Sequence, residues 1–437
     1  MMKVTVIMPS LNVKPYIRQC MDSVCQQSLS ELEILCIDAG STDGTREILE
    51  EYAKKDVRVR LIHSEKKSYG YQVNLGLQMA TGKYVAILET DDYIVPKMYE
   101  NLYRMAEEYK LDYVKADYDT VLCLENGEMF QERFYTLREH KDWYGKVIGP
   151  EQLCCMYISD TTLWKGIYRR TFLEQNHIRL NETPGAAYQD VGFIVQTLAK
   201  AQKAMYLEES FYRYRVDRED ASTWNPNCFS FIYREAKWLM ESGIIDGFSQ
   251  RHREACMERL ALGFYGEYRK ALQRYDYNVE NDAIAEPYQW FVRTLLPWLE
   301  NKVEVVSSDF KSNVIEIKRT LTDNTKWALE WKEKTEKETL FYNKLQETSF
   351  VIVGAGIRGK NLCKNCLRRK IVPLAFADNN PDARGQVIDN IQVLSVEECV
   401  QMYPDIRYVL SMKNGVEEVK KQLSELGVCD ENMVFFE

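Results

Sequence analysis

Hydrophobic and polar positions along the first 120 residues predict strands and helices in turn. The apolar runs typical of strands are KVTVIMP, LEILCID, RVRLIHS and YVAILE. Helical spacing of apolar residues lies between them, at about 15–27, 45–55 and 75–79. Because strands that alternate with helices imply a mostly parallel sheet covered on both faces, the pattern predicts an α/β domain at the start of the chain.

The rest of the chain changes character three times. A polar, turn-rich stretch at about 126–150 precedes a mixed region, and residues 229–348 then show almost wholly helical spacing. From residue 349 the chain returns to a strand, a glycine-rich turn and a helix. The predicted parts are an α/β domain, a helical module and a small Rossmann-like α/β domain, at residues 1–225 (halves at about 1–120 and 120–225), 226–347 and 348–437.

Composition and charge narrow the class of protein. The 437 residues are 45% hydrophobic and 28% charged, which excludes a disordered or collagen-like chain. With 57 Lys and Arg against 66 Asp and Glu, the formal charge is −9, so we expect no nucleic-acid partner. The start MMKVTVIMPS lacks the apolar length of a signal peptide, and no run of 18 apolar residues predicts a bilayer span. We therefore expect a cytoplasmic protein, compatible with peripheral contact at the inner face of the membrane.

Cysteine and histidine usage does not favour a metal or disulfide scaffold. The twelve cysteines are sparse and fall within apolar patterns, as reduced core cysteines do. Cys363 and Cys366 have CxxC spacing, but neither a second pair nor a histidine cluster accompanies them. Zinc and redox roles are therefore disfavoured.

Polar residues follow three of the predicted strands. For the first, second and fourth strands in turn they are Pro9, Ser10 and Asn12; Asp38, Gly40 and Ser41; and Glu89, Asp91 and Asp92. Turn and capping chemistry explains any one of these segments alone. Ligands of open α/β sheets, however, bind outside the carboxyl ends of the strands. Three polar ends on one edge therefore predict a ligand site.

The carboxylates after the fourth strand point to particular chemistry. Glu89, Asp91 and Asp92 lie within four residues, directly after an apolar strand, and repel one another unless a cation lies between them. Carboxylate oxygens suit Mg²⁺ or Mn²⁺, and such ions are held by one or two carboxylates together with substrate phosphates. The pattern predicts a metal–diphosphate site.

Four motifs together resemble the family 2 glycosyltransferases, which have the GT-A fold with a mixed sheet and use nucleotide-diphosphate sugars. The motifs are VIMPSLN, IDAGSTDGT, NLGLQMATGKYVAILETDD and NETPGAAYQDVGF. The resemblance runs over about residues 3–227, roughly half of the chain. It implies a Rossmann-like GT-A domain for the predicted α/β region.

The resemblance also implies roles for individual residues, because in that family the first strand end and the Asp after the second strand cradle the nucleoside. The DxD-type motif holds the ribose and a Mn²⁺ or Mg²⁺ ion. Residues assigned to the nucleotide sugar are Pro9, Ser10, Asn12, Asp38, Gly40, Ser41, Asn74, Asp91 and Arg215. Residues assigned to the metal are Asp92, Asp91 and Glu89.

The sequence departs from the family pattern at three positions, and at one of them Glu89 replaces the first Asp of the DxD motif. Ala39 stands where relatives commonly have a second Asp, and Val73 stands where they commonly have Arg. A diphosphate contact is therefore expected from Lys66, Lys67 or Arg215 instead. Since no QxxRW motif follows, the resemblance implies transfer of single sugars instead of processive synthesis.

The acceptor half offers two candidate catalytic carboxylates. Asp190 occupies the position where many relatives carry the general base, although a carboxylate at a helix N-terminus is also favoured by the macrodipole. Glu182 is the second candidate and could equally contact the acceptor. Trp164 and Gln189 are candidate acceptor-binding residues, with core packing as the other interpretation of Trp164.

A glycine-rich segment near the end is a candidate second nucleotide site. Gly354, Gly356 and Gly359 form GxGxxG between a strand and a helix, and Asp378 ends the next strand. The spacing fits a dinucleotide fingerprint, and the segment also resembles small nucleotide-sugar domains of bacterial sugar-modifying enzymes. A structural or assembly module, nucleotide-sugar binding and NAD binding all stay open here.

Together these features predict an inverting, metal-dependent glycosyltransferase of bacterial cell-surface polysaccharide or glycan synthesis. The expected donor is a UDP-sugar, and the acceptor is a glycan, lipid-linked glycan or other hydroxyl compound. The alternatives are a non-catalytic nucleotide-sugar-binding or assembly protein and an NAD-dependent oxidoreductase acting through GxGxxG. A homo-oligomer is compatible with the sequence.

Overall fold

The computed structural model describes residues 2–123, 129–216, 225, 227–302 and 304–436. The chain divides into two compact units. Unit 1 contains residues 1–120 and 133–331, and unit 2 contains residues 121–132 and 332–437. Within the described ranges, no helix combines the length and the apolar character needed to cross a bilayer.

Unit 1 contains most of a mixed sheet. The strands of this sheet are β1 (Val4–Ser10), β2 (Leu32–Asp38), β3 (Val59–His63), β4 (Tyr84–Ile87), β5 (Tyr93–Ile94), β6 (Tyr113–Cys123), β7 (Met129–Phe134), β8 (Gly166–Arg169) and β9 (Ala204–Arg215). The end of β6 and the start of β7 fall within residues 121–132, which are assigned to unit 2. The order is β3-β2-β1-β4-β8-β6-β9-β5, with β7 paired to β6. β1 pairs in parallel with β2 and β4, whereas β8 is antiparallel to β4 and β6.

Helices cover this sheet and extend it into a helical region. They are α1 (Lys14–Cys25), α2 (Thr45–Lys55), α3 (Tyr69–Met79), α4 (Met98–Tyr109), α5 (Pro150–Leu153), α6 (Arg170–Gln175), α7 (Gln189–Lys200), α8 (Cys228–Glu241), α9 (Gln250–Arg274), α10 (Asp282–Asn301), α11 (Ser308–Thr322) and α12 (Asn324–Gln346). α12 runs from unit 1 into unit 2.

The local sequence explains why the central elements form. All seven residues of β1 and all seven of β2 are buried, as expected of parallel strands covered on both faces. α3 packs directly on β1 because Gly76 has no side chain: a Cβ there would lie 2.5 Å from the Ile7 side chain. α3 and β1 are therefore tightly packed against each other.

The helical region that the sequence predicts as a separate module belongs to unit 1. Its apolar side chains, among them Phe229, Ile232 and Leu260, join the same buried cluster as the strands of the sheet. Because the helices complete the core of the sheet domain, the predicted boundary near residue 226 lies inside one compact unit.

Unit 2 contains a small, doubly wound sheet. Its elements after α12 are β10 (Phe350–Val353), α13 (Ile357–Arg368), β11 (Ala375–Ala377), β12 (Val387–Ile388), β13 (Ile391–Leu394), α14 (Val396–Met402), β14 (Arg407–Leu410), α15 (Val416–Glu425) and β15 (Met433–Phe435). The order is β12-β13-β11-β10-β14-β15. β10 pairs in parallel with both β11 and β14, so the winding reverses at β10, as in a Rossmann-like fold.

Candidate active site

The loop after β2 is held together by Asp38. This side chain is fully buried, and its carboxylate accepts hydrogen bonds from the backbone N–H of Gly40 at 3.1 Å and from the Ser41 hydroxyl at 2.5 Å. Gly40 has a φ of +81°, which favours glycine. Asn12, from the end of β1, accepts from the Thr42 N–H at 2.8 Å. The structure thus brings these four predicted nucleotide-binding residues together.

Hydrogen bonds also hold the end of β1 to the segment after β4 and to α3. The Thr90 hydroxyl donates to the carbonyl of Pro9 at 2.9 Å, and the Gln72 amide of α3 donates to the carbonyl of Ser10 at 3.1 Å. Because β1, β2 and β4 are neighbouring parallel strands, their carboxyl ends form one edge. The predicted meeting of three polar strand ends is confirmed.

The three carboxylates after β4 have different surroundings. The Tyr69 hydroxyl donates to Oε1 of Glu89 at 2.5 Å. Asp92 is 1% exposed, and its two oxygens accept from the Tyr212 hydroxyl and the Arg215 backbone N–H, each at 2.8 Å. Burial, and then the neighbouring charge of Asp91, raise the pKa of Asp92 well above its usual range. Asp91 is only half-buried.

This arrangement can be compared with the needs of a divalent ion. Among the described residues, no group of three or more His, Cys, Asp or Glu side chains is placed to hold a metal. Asp92 is buried, and each of its oxygens accepts a hydrogen bond from the protein. Asp91 and Glu89 are only half-buried. One or two carboxylates completed by substrate phosphates are the usual Mg²⁺ arrangement. The carboxylates fit an ion shared with a diphosphate, with Asp91 and Glu89 less buried than Asp92.

Arg215 follows Tyr214 at the end of β9, and its backbone N–H contacts Asp92. Its guanidinium lies over the rings of Tyr16 and Tyr93, at 5.4 and 5.5 Å, and donates to the Gln19 side chain. Its Nε is buried without a hydrogen-bond partner in the described structure. Lys66 instead pairs with Glu182 at 3.0 Å. Arg215 is therefore better placed than Lys66 to meet a diphosphate on the Asp92 side.

Asp190 lies in the first turn of α7, at the acceptor end. It is half-buried. Burial raises the pKa of its carboxyl, and the positive charges of Arg259 and Lys115 oppose that rise. A carboxyl whose pKa is raised by burial, and whose ionised form is stabilised by nearby cations, has the properties of a general base.

Two tyrosines connect Asp190 with the carboxylates after β4. Burial raises the pKa of Tyr214, and the charges of Asp92, Asp91, Glu89 and Asp190 raise it further. Tyr69 donates to Glu89, and the charge of Asp190 acts on the same hydroxyl. The charges of Asp190 and of the carboxylates after β4 thus act on the same two tyrosine hydroxyls, Tyr69 and Tyr214.

Glu182 and Asn74 bond to each other and to the protein. Oε1 of Glu182 accepts from the Asn74 amide at 3.2 Å, and Oε2 accepts from Lys66. The Asn74 side chain is 4% exposed, and it also donates to the carbonyl and accepts from the N–H of Leu180. In this structure Asn74 therefore joins α3 to the segment of Leu180 and Glu182, and its contact with the nucleotide sugar stays a prediction.

The Gln189 side chain forms hydrogen bonds within the loop that precedes α7. It is 2% exposed; its oxygen accepts from the Ala187 N–H at 2.7 Å, and its amide donates to Thr183 and to the Gly185 carbonyl. All of its polar atoms thus have partners within residues 183–189. Gln189 thus stabilises the loop that precedes α7, and its contact with the acceptor stays a prediction.

Trp164 is buried in an aromatic stack. It is 7% exposed, and its ring stacks on Tyr212 at 4.0 Å and on Tyr214 at 5.3 Å, with Tyr118 against its edge. Because β9 covers it, Trp164 fills the core, which is the other role that its sequence context allowed. Its contact with Tyr212 supports the side chain that holds Asp92.

Unit 1 also contains a buried ionic cluster that was not predicted from the sequence. Asp160, Lys115 and Lys165 are all fully buried, with Asp160 2.6 Å from Lys115 and 3.1 Å from Lys165. Although burial opposes ionisation, the charges of both lysines lower the pKa of Asp160 to about 2. Lysines inside the apolar runs YVKADY and LWKGIY were the available signal, since Lys is rarely buried unless paired.

The glycine-rich turn of unit 2 holds its own aspartate. Asp378 accepts from the Ala355 N–H at 2.6 Å and from the Asn380 N–H at 2.8 Å. A Cβ at Gly359 would lie 1.8 Å from the Gly354 carbonyl oxygen, whereas one at Gly356 would meet nothing within 4 Å. The turn has the predicted geometry, and Asp378 closes it.

Comparison with known sequences adds to this geometry. Residues 5–167 match the model of glycosyl transferase family 2. The chain is 34% identical over 223 residues to an uncharacterized glycosyltransferase, YibD, of Escherichia coli, covering 50% of this chain and 63% of that protein. It is 28% identical over 244 residues to EpsJ of Bacillus subtilis, covering 52% and 63%. The chain thus spans less than two thirds of the length of either relative.

Comparison with solved structures agrees on the fold. The crystal structure of Staphylococcus aureus TarS residues 1–349 in complex with UDP-GlcNAc has a TM-score of 0.54 and 18% identity, covering 77% of this chain and 92% of that one. TarS itself is named a poly(ribitol-phosphate) beta-N-acetylglucosaminyltransferase, and it is 27% identical over 223 residues, covering 50% of this chain and 36% of TarS. The chain therefore contains a family 2 glycosyltransferase domain, and that domain has the GT-A fold.

Proposed function

We propose that this chain transfers a single sugar from a UDP-sugar to a hydroxyl group of a saccharide or other acceptor, with inversion and with a Mn²⁺ or Mg²⁺ ion. The observation that carries the proposal is that the Tyr69 hydroxyl donates to Glu89 and also experiences the charge of Asp190. Donor-side carboxylates and a base candidate at one site are what a direct displacement needs. The relationship to TarS, whose structure holds UDP-GlcNAc, favours UDP and cell-surface glycan synthesis.

The chemistry assigned to the residues is a single displacement. The acceptor oxygen attacks the anomeric carbon, its proton passes to the Asp190 carboxylate, and the bond from that carbon to the diphosphate oxygen breaks, releasing UDP. A bound divalent ion, held by Asp91 and Glu89 with the diphosphate, would neutralise the leaving group. The Arg215 guanidinium offers a fork of donors to the same oxygens.

The donor can be tested without knowledge of the acceptor. Calorimetry would titrate the full chain with UDP, GDP, UDP-GlcNAc, UDP-glucose and GDP-mannose, each with and without Mn²⁺. We expect UDP and one UDP-sugar to bind and Mn²⁺ to tighten binding. Absence of nucleotide binding under every condition would refute the proposal, and tighter binding of GDP compounds would refute the choice of UDP.

The stereochemistry needs a separate measurement. NMR of the product, from a screen of saccharide and lipid-linked acceptors, would give the anomeric configuration. We expect an α-linked donor sugar to appear in a β linkage, because one displacement inverts the centre. A retained configuration would exclude Asp190 as a simple base.

For unit 2 we propose a structural or assembly role without NAD. Asp378, the residue that a dinucleotide ribose would need, already accepts two backbone N–H groups in its own turn. Titration of the full chain with NAD is the test, because unit 2 includes residues 121–132 and a shorter fragment would lack them. Micromolar binding of NAD would favour the oxidoreductase alternative.

A further inference from the structure

Glu235 lies in α8 and joins two segments of the acceptor half. It is 2% exposed. Oε1 accepts a hydrogen bond from the Gly192 backbone N–H at 3.1 Å, and Oε2 accepts one from the Asn181 side-chain amide at 3.0 Å. Gly192 follows Asp190 by two residues, and Asn181 directly precedes Glu182. One buried carboxyl from the helical region therefore ties together the segments that carry both candidate bases.

The contact is made at the N-terminal turn of α7. Tyr188, the N-cap residue of α7, has a φ of 67° and makes no side-chain capping bond within the described chain. The first turn of a helix has N–H groups that need acceptors from outside the helix. Glu235 supplies such an acceptor from a neighbouring helix, and it does so in the turn that carries Asp190.

Gly192 and Glu235 fit each other sterically. A Cβ at residue 192 would lie 2.2 Å from Oε1 of Glu235 and 2.6 Å from the Trp238 ring. Any larger residue at 192 would therefore displace the carboxyl or the indole ring. The close approach of α8 to the first turn of α7 depends on a glycine at this position.

The charges around this contact act on Asp190. Asp190 is the charged group that faces Glu235 from α7, and burial, assisted by that charge, raises the pKa of Glu235 to about 8. On the other side, Arg259 of α9 and Lys115 of β6 favour ionised Asp190. Burial therefore favours the neutral form of Glu235, and the two cations favour the ionised form of Asp190.

We propose that Glu235 is a positioning residue for sugar transfer, which holds the first turn of α7, and Asp190 with it, by accepting hydrogen bonds from Gly192 and Asn181. This inference rests on the proposed function and assigns the helical region a role at the acceptor end. Because the raised pKa favours the neutral form of Glu235, we expect an amide to replace it, with the Gln oxygen accepting from Gly192. The Asn181 amide can turn to present its oxygen to Gln, as it would to a protonated Glu.

The test compares Glu235→Gln with Glu235→Ala in the full chain. UDP release is measured from the UDP-sugar that the wild-type chain turns over, and UDP affinity is measured by calorimetry. We expect Ala to lower kcat by about 10- to 100-fold, as misplacement of a catalytic group does, with UDP affinity within about twofold. Gln should keep kcat within about threefold of wild type at pH 7, because both hydrogen bonds survive.

A second measurement does not depend on activity. Hydrogen exchange followed by mass spectrometry should show faster exchange across residues 189–193 in Glu235→Ala and wild-type exchange in Glu235→Gln. The matched control is Glu258→Gln: Glu258 is fully buried and accepts the N–H groups of Val306 and Ser307, each at 2.8 Å. Its substitution should alter exchange at 306–307 and leave kcat and residues 189–193 unchanged.

Two results would overturn the inference. In one, Glu235→Ala keeps kcat within about twofold of wild type, which a positioning residue does not allow. In the other, Glu235→Gln loses as much activity as Glu235→Ala at pH 7. Failure of the proposed function is distinguishable from both, because the wild-type chain would then neither bind UDP nor release it from any UDP-sugar.

Discussion

The hydroxyl group of Tyr212 donates a hydrogen bond to Oδ2 of Asp92 at 2.8 Å, between residues 120 positions apart in the chain. Oδ1 of the same carboxyl accepts the backbone N–H of Arg215. Asp92 therefore fixes the end of β9 beside the end of β4. Asp92 thus links the acidic cluster to Arg215, the cation that we propose for the diphosphate, and loss of Asp92 should disturb both.

We predict that Asp91→Ala and Asp92→Ala fail in different ways. Asp92→Ala removes the acceptor of two buried donors, so it should lower the melting temperature as well as abolish transfer. Asp91→Ala, at a half-buried position, should lower the melting temperature less than Asp92→Ala but remove the Mn²⁺ dependence of UDP binding. Thermal denaturation and calorimetry with and without Mn²⁺ measure both. Full Mn²⁺ dependence in Asp91→Ala would exclude Asp91 as a ligand, and in Asp92→Ala it would exclude Asp92.

The base assignment predicts a large change in kcat alone. Asp190→Asn keeps the size of the side chain, so UDP affinity should survive while kcat falls by about 10² to 10⁴, the usual range for a positioned base. Glu182→Gln, whose carboxyl mainly binds Lys66 and Asn74, should lose less than about tenfold. Steady-state kinetics with calorimetry measure both variants. The reverse ranking of the two variants would assign the base to Glu182.

Arg215→Lys should weaken the binding of diphosphates selectively. Lysine carries the charge but lacks the planar fork of donors, so we expect about tenfold weaker binding of UDP and unchanged binding of uridine. Arg213→Lys is the control, because Arg213 pairs with Asp119 at 3.1 Å. Calorimetry with both ligands separates the effects. Equal losses for uridine and UDP would show that Arg215 supports the fold instead of the phosphates.

Glu235 should make stability depend on pH in a defined direction. Its pKa is about 8 in the fold against an ordinary value of 4.5, so between these values the unfolded chain loses a proton that the folded chain keeps. The contribution of Glu235 to stability therefore falls as pH rises through this window. Relative to wild type, the melting temperature of Glu235→Gln should rise steadily from about pH 5 to pH 8. Parallel melting curves of the two proteins would contradict the shift.

The glycine-rich turn of unit 2 predicts unequal effects of two Gly→Ala changes. Gly359→Ala places a Cβ 1.8 Å from the Gly354 carbonyl oxygen and should cost about 1–3 kcal/mol or more, since the backbone must move. Gly356→Ala enters open space, at a φ of −75°, and should be tolerated. Denaturant unfolding of both variants measures the difference. Equal stability of the two variants would mean that α13 does not pack on the turn as described.

Much of the fold could be predicted from the sequence, because strand and helix periods depend on local spacing. The four parallel strands of the first sheet and the β10–α13 unit follow from apolar runs, glycine turns and helix caps in single segments. Whether the predicted helical region forms a separate module could not be decided in this way. Whether helices with an apolar face cover their own core or that of a neighbour depends on tertiary contacts, and here they complete the core of unit 1.

The same distinction applies to the candidate site. The sequence by itself determined that carboxylates end β4 and that Asp190 begins a helix, since both follow from polar residues placed after apolar runs. Only the tertiary structure decided that Asp92 is buried under Tyr212, that Trp164 packs on β9, and that Glu235 reaches Gly192. Burial and hydrogen-bond partners arise between segments far apart in the chain, and local periodicity carries no information about such pairs.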